Sequence, residues 1–292
     1  MEYHSEKKEI ITHRILNELD QFAIEFTQIL EKYMEYVIIS GYVSILLGRT
    51  RATEDIDVWI KKVSREKFLQ FYKEAISKGV WCINAEDGNE VFNYLINGDA
   101  VRFARDGKAA PNFEIKFPKR KIDEETFTDS IKVILKNGKL RISSLERQIA
   151  FKRYYLGTEK DIEDSEHIEE TFKGQIDYNK VEKLKPEIEK KQIIVNYPKD
   201  EDSYPDILID PKKLKEAIAI FINNAVKYNK ENGQMEKNRK FMKPGKTNRE
   251  DRQNFIKFWA EYIKSHTDED WSEQQNIIIN SQLINSSKNR KL

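Results

Sequence analysis

The 292-residue chain has only one cysteine, Cys82, which excludes an internal disulfide. Because disulfides are typical of oxidising compartments, this scarcity favours a reducing environment, and we expect a cytoplasmic protein. Cys82 stands between Trp81 and Ile83 in a predicted strand, so we interpret it as a small core residue.

Long apolar runs are also missing. The first residues carry a charge every few positions, with no apolar run of signal-sequence length, and no stretch is long enough to span a bilayer. We therefore expect no membrane association.

The charges are nearly balanced, with 51 Lys and Arg against 50 Asp and Glu. A protein coated with basic charge is thus excluded, and any contact with nucleic acid must come from a local patch.

One stretch, residues 36–60, has a distinctive order of features. It reads YVIISGYVSILLGRTRATEDIDVWI. This pattern predicts a strand, a tight turn, a short helix, a basic loop and a second, strictly alternating strand. Since side chains alternate between the faces of a strand, Asp55, Asp57 and Trp59 are expected to share one face.

Two carboxylates two residues apart on one strand face require a compensating charge. The Cα atoms of Asp55 and Asp57 should lie about 6–7 Å apart. If both groups are ionised and partly buried, their repulsion is about 2–3 kcal/mol. A divalent cation is the most economical compensation, and Mg²⁺ binds one or two carboxylates together with waters and substrate phosphates. The simpler alternative is that both acids face solvent on an edge strand.

The turn at Ser40 and Gly41 precedes the predicted helix and suits the phosphates of a nucleotide. A helix start offers unpaired N–H groups and the positive end of the dipole, and glycine leaves room for a ligand. Ser44, Arg49 and Arg51 would add a hydroxyl and charged donors. These five residues are therefore candidate nucleotide-binding residues.

The order of turn, helix, basic loop and Asp-x-Asp strand resembles the DNA-polymerase-β-like nucleotidyltransferase superfamily. Its members carry a Gly-Gly or Gly-Ser turn, then Asp-x-Asp, and later a third carboxylate on a neighbouring strand. The resemblance implies that Gly41 lies in the turn, that Asp55 and Asp57 bind two Mg²⁺ ions, and that an NTP is the substrate. Ser40 and Gly41 stand where Gly-Gly or Gly-Ser is usual, which is a departure from the pattern.

Glu114 is the candidate for the third carboxylate. Residues 101–104 and 112–117 are predicted strands, and alternation places Glu114 on the polar face of the second. In the superfamily this carboxylate helps to bind a second metal ion or acts as general base for the incoming hydroxyl. The alternatives are Asp99, Asp106 or an ordinary solvent-facing Glu114.

A second group of candidates follows an Asn-Gly hairpin signal within residues 131–142. Lys152 lies on the apolar stripe of the next predicted helix, and residues 160–164 read Lys-Asp-Ile-Glu-Asp. This arrangement resembles abortive-infection-type nucleotidyltransferase toxins and their uncharacterised bacterial and archaeal relatives. By that resemblance Lys152 and Asp161 belong to the nucleotide site, with Asp164 as a weaker candidate. Alternatively, Lys152 only extends its apolar stem towards the surface.

The expected fold class is α/β (α+β), a small mixed-sheet nucleotidyltransferase core with packed helices, spanning residues 1–145. A long amphipathic helix over residues 5–34 should pack on the sheet. Residues 146–185 form a helical segment that completes the cleft. Prolines and acidic residues mark a linker at 186–211, and a helical C-terminal domain follows at 212–292.

Residues 227–252 are mostly basic and polar. They are interpreted as a solvated loop or, alternatively, as a contact surface for the phosphates of an RNA acceptor.

Three functions compete. The first is nucleotidyl transfer to a macromolecule, tRNA or protein, by an enzyme that could be a toxin with an antitoxin partner. The second is modification of a small molecule such as an antibiotic, and the third is a non-catalytic binding or regulatory module.

Overall fold

The computed structural model describes residues 1–189 and 240–286. At its centre lies one nine-stranded sheet in the order β1-β2-β8-β9-β3-β4-β7-β6-β5. The pairs β2–β8, β3–β9 and β4–β7 are parallel and the others antiparallel. The predicted mixed α/β class is therefore confirmed. The strands are β1 (Glu2–His4), β2 (Glu9–Ile11), β3 (Tyr36–Ile38), β4 (Asp55–Ile60), β5 (Val80–Cys82), β6 (Val101–Arg105), β7 (Asn112–Lys116), β8 (Ile131–Leu135) and β9 (Gly138–Ile142).

Within the described residues, ten α-helices accompany the sheet. They are α1 (Glu18–Leu30), α2 (Gly41–Leu46), α3 (Arg65–Ser77), α4 (Gly88–Ile96), α5 (Lys121–Glu124), α6 (Leu145–Phe151), α7 (Glu159–Thr171), α8 (Tyr178–Glu189), α9 (Asn248–Ser265) and α10 (Asp268–Ser286). Helix α6 continues into a π-helical turn, Lys152–Leu156. None of the described helices combines the length and the apolar character needed to cross a bilayer.

The prediction of one helix over residues 5–34 is wrong in its first half. Strands β1 and β2 form a hairpin there, and Ile10 pairs with Val133 of β8. Helix α1 begins only after Asn17, whose side chain accepts a hydrogen bond from the backbone N–H of Asp20 in a capping box. The added strands make the sheet larger than expected.

Strand β4 shows why the candidate acids lie on one face. Ile56, Val58 and Ile60 are fully buried in the core, and each contributes about 1.5–3 kcal/mol through burial. Because the period of a strand is two, this burial fixes Asp55 and Asp57 on the opposite face. A shift of one residue would bury both carboxylates in the core and expose the three apolar side chains.

The described part of the C-terminal stretch packs beside β5 and β6. The Met242 N–H donates to the Ile83 carbonyl at 2.8 Å, and the Tyr262 hydroxyl donates to the Gly107 carbonyl at 2.6 Å. Phe255 and Phe258 share a small buried cluster with Ile83, Met242 and Tyr262. Outside the described residues lie most of the expected linker, half of the basic stretch (residues 227–239) and residues 214–228, for which the sequence predicts a helix. How the chain divides into domains stays a prediction.

Candidate active site

The three predicted carboxylates lie on adjacent strands of the sheet. In the parallel pair β4–β7, Asp57 is the register partner of Glu114, and Asp55 is the partner of Asn112. The side chain of Asp55 is 35% exposed and that of Asp57 is 19% exposed, so both face a partly open surface. Asp106 lies beyond the end of β6, away from Glu114. The register therefore selects Glu114 as the acid beside Asp57.

The predicted turn is directly beside these carboxylates. The Ile39 N–H donates to the Asp57 carbonyl at 2.9 Å, so the chain enters the turn level with Asp57. Ser40 has φ +64° and ψ −137°, a conformation that glycine adopts freely and other residues adopt at a cost of about 1–3 kcal/mol. A Cβ at Gly41 would lie 3.0 Å from Nη2 of Arg51. The guanidinium group of Arg51 therefore packs against the turn, where glycine makes room for it.

Lys116 lies among the carboxylates, and its role was not predicted. Its Nζ is 2.9 Å from Oε1 of Glu114 and 3.3 Å from Oδ1 of Asp57. It also lies 5.3 Å from the ring centroid of Trp59. Burial alone would lower the pKa of Lys116, but Glu114 and Asp57 raise it. The sequence signal was present, since Lys116 follows Glu114 by two residues and so shares its strand face.

Arg102 is a second cation that sequence reasoning missed. It is the register partner of Glu114 on β6, and its Nη2 lies 2.5 Å from both Oε2 of Glu114 and Oδ2 of Asp251. Its Nη1 donates to Oδ1 of Asn112 at 3.1 Å and lies 3.7 Å from Oδ2 of Asp55. Asp251 belongs to helix α9, 149 residues further along the chain. No local pattern links two residues at such a separation.

The cluster retains negative charge after these pairings. If every group is ionised, two cations face four carboxylates, which leaves two negative charges uncompensated. The carboxylates are Asp55, Asp57, Glu114 and Asp251, and the cations are Arg102 and Lys116. A divalent cation would complete the balance.

The pKa values of the three predicted carboxyl groups differ in direction. Burial raises the pKa of Asp57 to about 6, and the charge of Asp55 adds to this rise while Lys116 opposes it. Burial and the charge of Glu114 also raise the pKa of Asp55. Burial would likewise raise the pKa of Glu114, but Lys116 and Arg102 hold it at about 2. Glu114 is therefore firmly ionised, whereas Asp57 accepts a proton readily.

The other predicted nucleotide-binding side chains converge on Asp164. The Lys152 ammonium group donates to Oδ2 of Asp164 at 2.8 Å, and Arg51 contacts the same oxygen. Nε of Arg49 lies 3.5 Å from Oδ1 of Asp164, and Lys152 lies 3.9 Å from Oδ1 of Asp161. Burial would raise the pKa of Asp164, but the hydrogen bond from Lys152 lowers it. Asp164, the weaker candidate in the sequence, is thus the centre of this group.

Two side chains differ from their expected exposure. Lys152 is 1% exposed, so its ammonium group does not extend to the surface but is buried beside Asp164. Ser44 is fully buried in α2, and its Oγ has no hydrogen-bond partner in the described residues. In this conformation the Ser44 hydroxyl is therefore not part of an exposed phosphate-binding surface, contrary to the expectation for it.

The donor set of β4 suits a hard cation. Among the described residues, no three His, Cys, Asp or Glu side chains are grouped so that they could hold a metal ion. Lys116 and Arg102 instead engage Glu114. However, Mg²⁺ needs only one or two carboxylates when substrate phosphates complete its shell. Asp55 and Asp57, both carboxylates on one partly open face, meet that requirement without Glu114.

Comparison with known proteins gives few matches. A family of unknown function (DUF8150) has a model that matches residues 235–290, the stretch that includes α9 and Asp251. No curated protein matches the chain. Among solved structures, an antigenic nucleotidyltransferase-like protein from Paracoccidioides brasiliensis is similar, with 16% identity and a TM-score of 0.36. That similarity covers 57% of this chain and 85% of the other. At this level of similarity, function must be inferred from the geometry of the site.

Proposed function

We propose that this protein is a cytoplasmic, Mg²⁺-dependent nucleotidyltransferase. It moves an NMP group from an NTP to a hydroxyl of a macromolecular acceptor, tRNA or protein, and releases pyrophosphate. One observation carries the proposal. A glycine turn and three carboxylates lie together, because the Ile39 N–H donates a hydrogen bond to the Asp57 carbonyl and Asp57 is the register partner of Glu114.

Asp55 and Asp57 would hold Mg²⁺. When bound, the ion supplies positive charge to the phosphate oxygens and stabilises the charge that develops during transfer. The low pKa of Glu114, about 2, makes it a weak general base, since an effective base has a pKa near the working pH. Of the two roles expected for Glu114, binding of a second metal ion is therefore favoured over deprotonation of the acceptor hydroxyl.

The turn would bind the terminal phosphates through the N–H groups at the start of α2, with Ser40 and Gly41 forming the turn itself. Arg51 packs against Gly41, so its guanidinium group is already close to where those phosphates would lie. Arg51 and Lys152 both contact Asp164 in the present conformation. Nucleotide binding would therefore require the Arg51 and Lys152 side chains to be shared between the Asp164 carboxylate and the triphosphate.

The remaining candidates have supporting roles. Arg49 contacts Glu163 as well as Asp164 and would add charge near the triphosphate. Asp161 accepts a hydrogen bond from Thr158 at 2.5 Å at the start of α7 and would act by orienting Lys152. A role as a toxin controlled by an antitoxin partner is a further part of the proposal.

Transfer of label tests the proposal. The full chain is incubated with each α-labelled NTP, Mg²⁺ and either total tRNA or cell extract, and the labelled species are separated by size. We expect label on an RNA or protein band with the wild type and none with Asp57→Asn. Glu54→Gln is the matched control, because Glu54 is an exposed acid next to the same strand. Label only on small molecules would favour the small-molecule alternative, and equal labelling by Asp57→Asn would contradict the assignment.

A non-catalytic module is a second candidate, and one observation favours it. Lys116 lies between Asp57 and Glu114, where its ammonium group already compensates part of the charge that a metal ion would otherwise balance. On this alternative the site binds a nucleotide without turnover. Binding of an NTP with no labelled product from any acceptor would support it.

A further inference from the structure

The C-terminal stretch reaches the carboxylate cluster through Asp251. This residue is 5% exposed, and each of its carboxylate oxygens has a partner. Oδ1 accepts a hydrogen bond from the Gly245 N–H at 3.0 Å, and Oδ2 lies 2.5 Å from Nη2 of Arg102. Asp251 thus stabilises the loop at Gly245 in its own segment and also pairs with the Arg102 side chain of the candidate site.

Arg102 is shared between the two parts of the chain. Its guanidinium group lies 4.9 Å from the ring centroid of Phe255 on α9, while Nη2 also contacts Glu114. Its backbone N–H donates to Oδ1 of Asn84 at 2.6 Å, and Nδ2 of Asn84 donates to the Met242 carbonyl at 3.0 Å. The position of Arg102 therefore depends on the C-terminal stretch through both its side chain and its backbone.

We propose that Asp251 and Arg102 are positioning residues, through which residues 240–286 set the affinity of Asp55 and Asp57 for a divalent cation. The inference rests on the proposed function in one respect, namely that these two acids bind such a cation. It adds that the C-terminal stretch is part of the site and acts on it chiefly through the pair of Asp251 and Arg102.

The physical reason is a competition for Arg102. Nη1 of Arg102 lies 3.7 Å from Asp55, while Asp251 and Glu114 hold Nη2 at 2.5 Å. Without the Asp251 charge, only Glu114 still pairs with Nη2, so Arg102 is less restrained from moving towards Asp55 and competing with a metal ion there. The cluster also loses one negative charge. Both effects weaken cation binding.

The coupling must also act in the opposite direction. If docking of α9 favours cation binding at Asp55 and Asp57, then cation binding must favour docking of α9 by the same factor. Exchange of the backbone N–H groups of Asn248–Ser265 reports that docking directly, and it requires no catalytic turnover.

The test uses the full chain and Mn²⁺, whose free concentration is measured by electron paramagnetic resonance. We expect Asp251→Asn to bind Mn²⁺ about tenfold more weakly or worse, the scale typical of groups that orient metal ligands. Arg102→Lys keeps the charge but lacks the planar guanidinium group, whose two Nη atoms contact different partners, and we expect a similar loss. Glu261→Gln is the matched control, because Glu261 lies on the same helix in an exposed pair with Lys240.

Hydrogen exchange provides the second readout. In the wild type, Mn²⁺ should slow exchange across Asn248–Ser265, and Asp251→Asn should remove this effect. If Asp251→Asn fails to fold, as judged by circular dichroism, the wild-type exchange and Arg102→Lys still decide the question. Unchanged Mn²⁺ affinity in Arg102→Lys, or no slowing in the wild type, would overturn the inference.

Asp57→Asn distinguishes a failure of the positioning role from a failure of the cation site itself. If Asp57→Asn loses Mn²⁺ binding while Asp251→Asn and Arg102→Lys bind like the wild type, the cation site stands and only the positioning role is wrong. If Asp57→Asn binds Mn²⁺ as tightly as the wild type, the cation site of the proposed function is itself wrong.

Discussion

Asp57 and Glu114 face each other across the parallel pair β4–β7, yet the pKa values of their carboxyl groups are shifted in opposite directions. Glu114 accepts hydrogen bonds from Lys116 at 2.9 Å and from Arg102 at 2.5 Å. Asp57 has the weaker contact with Lys116, at 3.3 Å, and also lies near Asp55. One acid is therefore stabilised as a carboxylate and the other is not, so their substitutions should affect stability with opposite sign.

Asp57→Asn should not destabilise the protein at neutral pH. The pKa of Asp57, about 6, is above its ordinary value of 3.8, so the folded state binds a proton more tightly than the unfolded state. Stability contributed by Asp57 therefore falls as pH rises from about 4 to about 6. Relative to the wild type, we expect the free energy of unfolding of Asp57→Asn to be about 1–3 kcal/mol higher at about pH 8 and unchanged below about pH 4.

Urea unfolding at a series of pH values measures this difference. Glu54→Gln, the exposed control on the same segment, should follow the wild type throughout. A loss of stability at about pH 8 in Asp57→Asn would contradict the raised pKa.

Glu114→Gln should have the opposite effect. The pKa of Glu114, about 2, is below its ordinary value of 4.5, so its contribution is complete above about pH 4.5 and is lost as pH falls through about 2. Removing one partner of a buried ion pair leaves a charge uncompensated, and we expect a loss of about 3 kcal/mol at neutral pH.

The control for Glu114→Gln is Glu35→Gln. Glu35 pairs with Lys61 at 2.7 Å, but both side chains are more than half exposed. We expect a change of less than about 1 kcal/mol there. Equal stability of Glu114→Gln and Glu35→Gln would show that the Lys116 and Arg102 contacts contribute little.

Ser40→Gly should be tolerated or stabilising. Ser40 adopts a positive φ that strains a residue with a Cβ, and glycine relieves that strain while adding some entropy to the unfolded chain. We expect a change between zero and about 1 kcal/mol in favour of the folded state. Ser77→Gly, at the exposed last residue of helix α3, should instead lose about 0.5 kcal/mol. Thermal unfolding compares the two, and an equal loss in both would contradict the strain at Ser40.

Ser44→Ala should raise stability. The Ser44 hydroxyl is fully buried without a partner in the described residues, and such a group costs about 1–3 kcal/mol. Thr27→Val is the control, because the buried Thr27 hydroxyl donates to the Ala23 carbonyl at 2.7 Å and its loss should destabilise. If Ser44→Ala instead loses stability, the hydroxyl has a partner in solution.

Fluorescence-monitored NTP binding by Ser44→Ala tests the separate expectation that this hydroxyl contacts a phosphate.

The sequence predicted the elements whose signals are local. The alternation in Asp55–Ile60 fixed a strand with its acids on one face, and the Asn-Gly signal marked the β8–β9 hairpin. The prediction of a long helix over residues 5–34 was wrong because Ile11 and Ile15 fit a helical spacing with Leu19. Only the pairing of Ile11 with Ile134 of β8 shows that the chain forms a strand there.

The cations of the site could not be predicted because they depend on contacts between distant segments. Arg102 and Asp251 are 149 positions apart, and nothing near either residue indicates the other. Lys116 was visible as a neighbour of Glu114 on one face, but its contact with Asp57 depends on the β4–β7 register. The family resemblance ranked Asp164 below Asp161, and the sequence does not show which acid of α7 contacts the buried Lys152.

The most direct test of the central claim is to locate a cation in crystals. The full chain would be crystallised with Mn²⁺ and a non-hydrolysable NTP analogue, and the anomalous signal of Mn²⁺ would be mapped. The account predicts a peak within bonding distance of carboxylate oxygens of Asp55 and Asp57, with the phosphates towards Gly41. Bound nucleotide with no peak at these two acids, or with its phosphates on another face of the sheet, would contradict it.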